Sequence, residues 1–281
     1  MRPAAEDVDR SGEVIDGRYR LESLIDRGGQ GAVYRAHDLR DGDRVAIKML
    51  KASFADDGDS RERLLREARA LMTLAGTAAV RVLDQRWCRG ELFVVMELLD
   101  GASFDEHLQH LHEPLTPRQL LDLLEPVVRT LQLAHEHGIV HRDVKPANIF
   151  VCRNGEVRLI DFGFAKFSNL LSFTASGHAA GSPSYMAPEI WNGVAVDRRV
   201  DIYSLGVVVF RALGGKVPFD PSNLAHLWRA ATSDPRPSLH ALRPELPRDL
   251  DAWVAQAMAI DRNQRFLSVR AAWNALRASL G

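Results

Sequence analysis

The sequence predicts an α+β protein in which a mostly β N-terminal lobe precedes a mostly helical C-terminal lobe. Three short β-prone runs lie between Tyr19 and Leu50, and two more end near Leu99, all separated by turn residues. Beyond position 101 the apolar residues recur at helical spacing instead. We therefore expect a five-stranded antiparallel sheet with one main helix, then a helical lobe, and a ligand-binding cleft between the two lobes.

Local patterns justify each element in chain order. The runs YRLESLI, AVYRAHD and RVAIKML predict three strands, SRERLLREARALMTL an amphipathic helix, and VRVLD and ELFVVMEL two further strands. In the second lobe, Thr116 and Pro117 supply an N-cap and a first helical residue for a long helix. The run RRVDIYSLGVVVFRALGG is apolar nearly all round, as a central helix should be, and two helices close the chain.

The composition is that of a soluble globular protein, and it argues against several functions. Hydrophobic residues make up 46%, and 36 basic residues nearly balance 37 acidic ones, so nothing general attracts nucleic acid or anionic lipid. Cys88 and Cys152 lie far apart and are expected to be reduced thiols. No stretch approaches the roughly 20 apolar residues that span a bilayer. We expect a cytoplasmic chain with a flexible leader at 1–17, no membrane segment and no nucleic-acid partner.

Two motifs in the first lobe suit a phosphate, although each has an ordinary explanation. Gly28, Gly29 and Gly31 lack a Cβ, so their backbone can approach a phosphate closely, but a plain glycine-rich hairpin turn also fits. Lys48 ends an apolar strand, where burial of its charge would require a partner or a phosphate, although a solvated strand end is an alternative. Glu67, on the core-facing side of the predicted helix, could meet that lysine.

Two motifs in the second lobe point more firmly to phosphoryl transfer. HRDVKPANIF places Asp143, Lys145 and Asn148 in one short loop after a long helix. They supply a carboxylate to accept a hydroxyl proton, a cation to neutralise a phosphoryl group, and an amide oxygen to bind a metal. In LIDFGFAK, Asp161 follows an apolar run and offers Mg²⁺ a hard oxygen ligand.

In this order, the motifs resemble those of the eukaryotic-like serine/threonine protein kinases of bacteria, from Tyr19 to Leu280. GSPSYMAPE is similar to the substrate-docking segment of that family, DIYSLG to its central helix with a buried aspartate at Asp201, and DRNQRF supplies Arg265, which in the family pairs with the equivalent of Glu189. The resemblance implies a bilobal protein-kinase fold at 18–281, with an N-lobe at 18–96, a hinge at 97–101 and a C-lobe at 102–281.

The resemblance also assigns roles to the motif residues. Lys48, positioned by Glu67, would hold the α- and β-phosphates of ATP, while Asp161 and Asn148 would bind Mg²⁺, or Mn²⁺ in its place. Asp143 would orient and deprotonate the acceptor hydroxyl, with Lys145 on the γ-phosphate. Nucleotide contacts are implied for Ile25, Gly28, Gly29, Gly31, Val33, Ala46, Met96, Glu97, Leu99 and Phe150.

Acceptor type and regulation follow from the same resemblance. Lys145, two residues after the catalytic aspartate, and Ser182, expected to hydrogen-bond toward Asp143, are typical of kinases that phosphorylate serine and threonine in proteins. Arg142 beside that aspartate is typical of members switched on by a phosphorylated activation loop, for which Thr174 and Ser176 are candidate sites; a flexible Ser/Thr-rich loop is the alternative. Autophosphorylation would require a transient homodimer.

One departure and two competing functions stand beside this interpretation. Asp26 replaces the first glycine of the glycine-rich loop, and its charge should weaken ATP binding by repulsion. A pseudokinase scaffold would share the fold but lack catalytic residues, and a small-molecule kinase would not need GSPSYMAPE. Other residues favour structural readings: His141 is expected to pack beneath Phe162, and Trp228, Trp253 and Trp273 to pack between helices.

Overall fold

A computed structural model of the chain describes residues 9–28, 31–50, 72–88, 91–162 and 183–281. These residues form two compact units. The first holds the described residues up to Ala75 together with Val80–Asp100, and the second holds Gly76–Ala79 and the described parts of Gly101–Gly163 and Leu170–Gly281. Several predictions fall outside the described residues: most of the helix between Ser60 and Leu74, and the roles of Gly29, Glu67, Thr174, Ser176 and Ser182.

The first unit is built on a six-stranded antiparallel sheet with the order β1–β2–β3–β4–β6–β5. Its strands are β1 Val14–Ile15, β2 Tyr19–Gly28, β3 Gly31–Asp38, β4 Arg44–Leu50, β5 Val82–Cys88 and β6 Glu91–Glu97. The five predicted strands are confirmed, but the predicted count is wrong because β1 adds a sixth. This strand has two residues and lies in the polar segment predicted as a leader, so no alternation of apolar and polar residues announces it.

Burial of one apolar face explains why β1 pairs at all. Ile15 is 5% exposed and joins Tyr19, Leu21 and Tyr34 in the core beneath the sheet, where Tyr19 meets Phe93 edge to face at 6.1 Å. Its backbone register with β2 pairs Ile15 with Tyr19.

Ion pairs fix the segment around β1 from both sides. Arg10 contacts Glu91 at 2.7 Å, and Asp16 contacts Arg86 at 2.8 Å, so residues before and after β1 are tied to strands β6 and β5. Exposed pairs of this kind contribute little stability each, so most of the stabilisation at β1 comes from the buried isoleucine.

The second unit combines helices with a small sheet. Its helices are α1 Phe104–His110, α2 Pro117–Glu136, α3 Pro188–Trp191, α4 Arg199–Gly214, α5 Leu224–Ser233, α6 Leu239–Leu242, α7 Asp249–Ala257 and α8 Val269–Leu280. Three short antiparallel strands form its sheet: β7 Gly101–Ser103, β8 Ile149–Cys152 and β9 Val157–Leu159. The predicted start of α2 is confirmed, since Thr116 caps it in a reciprocal box with Gln119 and Pro117 opens its first turn.

Helix α4 is the centre of this unit. Its residues from Val200 to Leu213 are buried except Arg211, and it contacts α2, α7 and α8. Gly206 permits a close crossing with α7, because a Cβ there would lie 2.9 Å from Met258 and 3.2 Å from Ala257. Gly215, with a φ of 77°, ends the helix by donating to the Arg211 carbonyl at 2.8 Å.

Of the three tryptophans predicted to pack between helices, two are buried and one is exposed. Trp253 and Trp273 are buried, as predicted, but the prediction for Trp228 is wrong because that residue is 47% exposed, with Leu224 at 41% one turn earlier on α5. Helical spacing identifies an apolar face, but it does not reveal whether another element covers that face. No helix among the described residues has both the length and the apolar content to cross a membrane.

Candidate active site

The glycine-rich hairpin joins β2 to β3 in the first unit. Gly28 pairs with Gly31 at its end, and Gly31 has a φ of 145°. A Cβ at Gly31 would lie 1.9 Å from the Met49 carbonyl oxygen, so β3 approaches β4 too closely here for any other residue. Asp26 is exposed on β2 and accepts a hydrogen bond from the Arg27 amide at 2.8 Å. Ile25 is 50% exposed.

Four residues with predicted nucleotide roles lie on one face of the sheet. Lys48 and Ala46 are two apart on β4, so they share a face, and their direct cross-strand partners Val33 and Met96 share it with them. Lys48 is 3% exposed on this face. Burial of an ammonium group is costly unless it is paired, so the alternative of a solvated strand-end lysine is wrong.

The chain leaves this sheet through the predicted hinge. Glu97 ends β6, with its amide donating to the Arg81 carbonyl at 3.0 Å and its carboxylate accepting from the Arg81 amide at 2.8 Å. Leu99 follows, and both Glu97 and Leu99 are half-buried.

In the second unit, residues 141–148 after α2, which we call the catalytic loop, bring the predicted catalytic residues together. Lys145 Nζ lies 2.8 Å from Asp143 Oδ2, and Asn148 Nδ2 donates to the same oxygen at 2.9 Å and to the Asp143 carbonyl at 2.8 Å. A short 3₁₀ turn over Pro146–Asn148 produces this convergence, closed by the Asn148 amide on the Lys145 carbonyl at 2.9 Å. The three side chains therefore act as one hydrogen-bonded group.

A buried aspartate on α4 holds the start of this loop. Asp201 is fully buried and accepts from the His141 amide at 2.9 Å, the Arg142 amide at 2.7 Å and His135 Nε2 at 2.7 Å. Burial alone would raise the pKa of Asp201, but these donors outweigh it and the pKa lies below its usual value. Arg142 accordingly has a φ of 67°, a left-handed conformation that an ordinary residue keeps only when its surroundings impose it.

His141 connects the catalytic loop to the segment before Asp161. Burial lowers the pKa of His141, so the ring is neutral; Nε2 donates to the Ile160 carbonyl at 3.0 Å, and Nδ1 accepts from the Asp143 amide at 3.2 Å. Its ring lies 4.5 Å from that of Phe162, which confirms the predicted packing.

A backbone hydrogen bond links the two segments that carry the metal-ligand candidates, Asn148 and Asp161. The Ile160 amide donates to the Asn148 carbonyl at 2.9 Å, which places Asp161 directly after a residue bonded to Asn148. Asp161 has a φ of 62°, the second left-handed non-glycine residue at this site. Phe150 is half-buried on β8, opposite Ser103 of β7.

The structural pair implied by the resemblance is present. Arg265 donates from Nη1 and Nη2 to the two carboxylate oxygens of Glu189, both at 2.7 Å, and its side chain is fully buried. It also donates to the Ala259 and Arg199 carbonyls and lies 5.0 Å from the Tyr203 ring centroid.

The contacts that hold Tyr185, in the predicted docking segment, were missed from the sequence. Arg211 on α4 donates to the Tyr185 hydroxyl at 2.7 Å and contacts Asp105 on α1, while the Tyr185 carbonyl accepts from Ser204 at 2.8 Å. Burial raises the pKa of Tyr185 to about 12, so its hydroxyl is protonated. Separations of 26 and 106 residues give no spacing signal by which these contacts could be found.

Comparison with known proteins identifies the family. Residues 19–270 match the model of the protein kinase domain. The chain is 40% identical over 264 residues to the serine/threonine-protein kinase PknA of Mycobacterium tuberculosis, with 92% of this chain and 60% of that protein covered. It is 33% identical over 259 residues to the probable serine/threonine-protein kinase PknB of Lactococcus lactis, with 92% and 41% covered. It thus spans about two-fifths to three-fifths of these relatives.

Solved structures agree with the sequence comparison. The kinase domain of Mycobacterium tuberculosis PknI matches with a TM-score of 0.75 and 28% identity, covering 96% of this chain and 98% of that one. The bilobal α+β kinase fold predicted from the sequence is thereby confirmed, with a sixth strand added to its first sheet. The chain belongs to the protein kinase family, and within it to the eukaryotic-like serine/threonine protein kinases of bacteria.

Proposed function

We propose that this chain transfers the γ-phosphoryl group of Mg-ATP to serine and threonine hydroxyls of protein substrates in the cytoplasm. The observation that carries the proposal is the way in which the Asp143 carboxylate is hydrogen-bonded. Lys145 and Asn148 both contact Oδ2, and neither contact uses Oδ1. An oriented carboxylate whose Oδ1 has no hydrogen-bond partner among the described residues is suited to accept a hydrogen bond, and then a proton, from an acceptor hydroxyl.

The remaining loop residues would position charge rather than form bonds. Lys145, on the same carboxylate, is within reach of a phosphoryl group that approaches the Asp143 oxygen, and its ammonium would offset negative charge there. Phosphoryl transfer passes through a loose transition state, so positioning and neutralisation account for most of its catalysis. The Asp201 hydrogen bonds serve the same end, because they fix the backbone from which Asp143 projects.

The donor set fits a magnesium ion. Both recorded bonds of the Asn148 side chain use Nδ2, so its amide oxygen remains able to ligate a metal beside the carboxylate of Asp161. Hard oxygen donors of this kind suit Mg²⁺, and Mn²⁺ as a substitute. When bound, the ion would neutralise phosphate charge.

The nucleotide would use the shared face of the first sheet. Ala46, Val33 and Met96 offer an apolar surface for an adenine ring, with backbone groups at Glu97 and Leu99 as hydrogen-bond partners. Buried Lys48 would hold the phosphates beside the glycine-rich hairpin. Further roles proposed from the family pattern belong to Ile25, Gly29, Glu67 and Phe150.

A buried hydrogen-bond donor of Arg142 supports regulation by phosphorylation. Arg142 Nε is buried and has no hydrogen-bond partner among the described residues. Such a guanidinium can hold a phosphate carried by Thr174 or Ser176, and Ser182 is the proposed contact toward Asp143. We expect the Thr174→Ala, Ser176→Ala double variant to lose most activity; full activity would contradict this part of the proposal. A transient homodimer would supply the autophosphorylation.

The activity is tested with labelled ATP, Mg²⁺ and a generic basic protein. The wild type should form phosphoserine or phosphothreonine, and Asp143→Asn should reduce kcat by at least roughly a hundredfold, since general base catalysis contributes on that order. Folding of the variant is checked by its circular dichroism. Absence of incorporation by the wild type across metals and pH values would instead favour a pseudokinase scaffold.

A further inference from the structure

A guanidinium group joins three segments of the second unit near the catalytic loop. Arg211 Nη1, on α4, donates to the Tyr185 hydroxyl at 2.7 Å and to Asp105 Oδ1 at the start of α1. Helix α1 contacts the 3₁₀ turn Pro146–Asn148 of the catalytic loop, and Tyr185 ends the 3₁₀ turn Pro183–Tyr185 of the predicted docking segment. The three side chains, which we call the Arg211 cluster, therefore lie between the docking segment and a helix that borders the catalytic loop.

The spacing along α4 indicates how far the Arg211 cluster lies from the catalytic residues. Asp201, which holds the start of the catalytic loop, and Arg211 are ten residues apart on this helix. An α-helix rises about 1.5 Å per residue, so roughly 15 Å separates them along its axis. An extended polypeptide covers that length in about four or five residues. A substrate side chain that contacts Arg211 would thus lie within about five residues of the hydroxyl that is phosphorylated.

Arg211 has hydrogen-bond donors that the described residues do not use. A guanidinium carries five N–H groups, and both described contacts use those of Nη1 alone. Nη2 and Nε make no hydrogen bond with any residue that the structure describes. One guanidinium of this protein already holds two carboxylates, since Arg18 contacts both Asp38 and Asp41 at 2.6 Å. A second carboxylate can join Asp105 on Arg211 in the same way.

The Tyr185 hydroxyl adds one more donor. Its oxygen accepts from Arg211, and its own proton is donated to no residue in the described part of the chain. Burial raises the pKa of Tyr185 to about 12, so the hydroxyl keeps this proton near neutral pH. Ser204 fixes the backbone of this residue by donating to the Tyr185 carbonyl at 2.8 Å. The hydroxyl and the guanidinium can therefore donate together to one carboxylate.

The carboxylate of the Arg211 cluster offers much less to a cation. Asp105 Oδ1 accepts from Arg211, and Oδ2 accepts from Gln109 Nε2 one turn further along α1. The charge of Asp105 is also offset by the guanidinium that it contacts. A lysine or arginine of a substrate would meet this neutralised carboxylate together with the like charge of Arg211, which repels it. The unused hydrogen-bonding capacity therefore favours an anionic side chain over a cationic one.

We propose that Arg211 and Tyr185 bind an acidic side chain of the protein substrate and so determine which serine or threonine is phosphorylated. The substrate carboxylate accepts from Nη2 or Nε of Arg211 and from the Tyr185 hydroxyl, while Asp105 holds the guanidinium through Nη1. This inference rests on the proposed function, because it names a specificity site for the same reaction.

Steady-state phosphorylation of matched peptides tests the inference. Each peptide has one serine in a background of Gly and Ala, and Asp, Asn or Lys at one nearby position, which is varied in turn. At one position or more, kcat/KM for the Asp peptide should exceed that for the Asn peptide roughly tenfold, as expected for hydrogen bonds to a charged group. The Lys peptide should be poorer than the Asn peptide, and added salt should reduce the preference for Asp.

Variants of the Arg211 cluster should change the ratio of kcat/KM for Asp to that for Asn in opposite directions. Arg211→Gln should bring this ratio close to one, and Tyr185→Phe should lower it roughly threefold. Asp105→Asn should raise it, because Arg211 then has no competing carboxylate. Arg118→Gln, at an arginine whose side chain is 93% exposed, is the matched control and should keep the wild-type ratio. A purely structural role of Arg211 would instead lower kcat/KM for all peptides equally.

The outcomes separate this inference from the proposed function. Equal kcat/KM for Asp and Asn peptides at every position, a preference for Lys, or a wild-type ratio in Arg211→Gln would each overturn the inference. If Arg211→Gln has a lowered unfolding midpoint, Tyr185→Phe and Asp105→Asn decide, and wild-type ratios in both would overturn it. If no peptide is phosphorylated, the proposed function fails. Fluorescence anisotropy of labelled peptides with Ala in place of Ser, without nucleotide, then still tests the site, and the Asp peptide should bind roughly tenfold more tightly than the Asn peptide.

Discussion

Replacement of Arg265 by methionine should destabilise the second unit more than any surface charge change. Methionine keeps most of the apolar stem but removes the guanidinium, leaving the Glu189 carboxylate, 7% exposed, without its bidentate partner. Removal of one member of a buried pair costs about 3–5 kcal/mol, because the other charge stays buried. The Ala259 and Arg199 carbonyls lose donors at 2.8 and 3.0 Å as well. We therefore expect a loss of about 4 kcal/mol, a large part of the 5–15 kcal/mol typical of a domain.

Urea unfolding followed by tryptophan fluorescence measures this loss. The signal reports mainly on the second unit, because that unit contains Trp191, Trp228, Trp253 and Trp273. Arg118→Met is a matched control in the same unit: Arg118 lies 3.8 Å from Asp122 with its side chain 93% exposed, so its loss should cost less than about 1 kcal/mol.

A second variant tests the electrostatic reason. Glu189→Leu combined with Arg265→Met removes both charges, so it should lose less than half as much stability as Arg265→Met alone. A single variant as stable as Arg118→Met, or a double variant no better than the single one, would refute the argument that an uncompensated buried carboxylate causes the loss.

Three further predictions concern catalysis, pH and nucleotide binding. Asp201→Asn should lower kcat about 10–100-fold in steady-state kinetics, because an amide cannot accept from both loop amides and His135. Asp197→Asn, on the surface, should leave kcat unchanged. Equal kcat values for the two variants would contradict the positioning role of Asp201. Burial would raise the pKa of Glu125, yet hydrogen bonds from Arg129, Arg270 and Trp273 hold this pKa at about 2, against an ordinary 4.5. The ionised carboxylate therefore stabilises the fold fully above pH 4.5, and this stabilisation is lost as the pH falls toward 2. Urea titrations should therefore show a flatter acid limb for Glu125→Gln, and an unchanged slope would contradict this. Asp26→Gly should lower the KM for ATP, and Asp26→Asn should do so in part; unchanged or raised values would remove the repulsion argument.

Much of the second unit could be predicted because its signals are local. Thr116 and Pro117 mark the start of α2 in adjacent positions, and the catalytic loop carries its chemistry within six residues, so both were predicted without any long-range information. The apolar character of α4 likewise predicted its central place.

What could not be predicted depends on contacts between distant residues. Strand β1 exists because Ile15 reaches a core built from four other strands, and its two residues leave no periodic pattern. Trp228 has the same helical spacing as a packed residue, yet no described element covers it fully.

The hydrogen bonds from the catalytic loop to Asp201 have a consequence for exchange with deuterated solvent. The amides of His141 and Arg142 lie outside any helix or strand, and loop amides ordinarily exchange quickly. Their acceptor is fully buried on a helix about sixty residues further along the chain, so solvent reaches them only when the loop separates from α4. These two protons should therefore exchange as slowly as those of the central helix, while the exposed turn at Gly155 exchanges early.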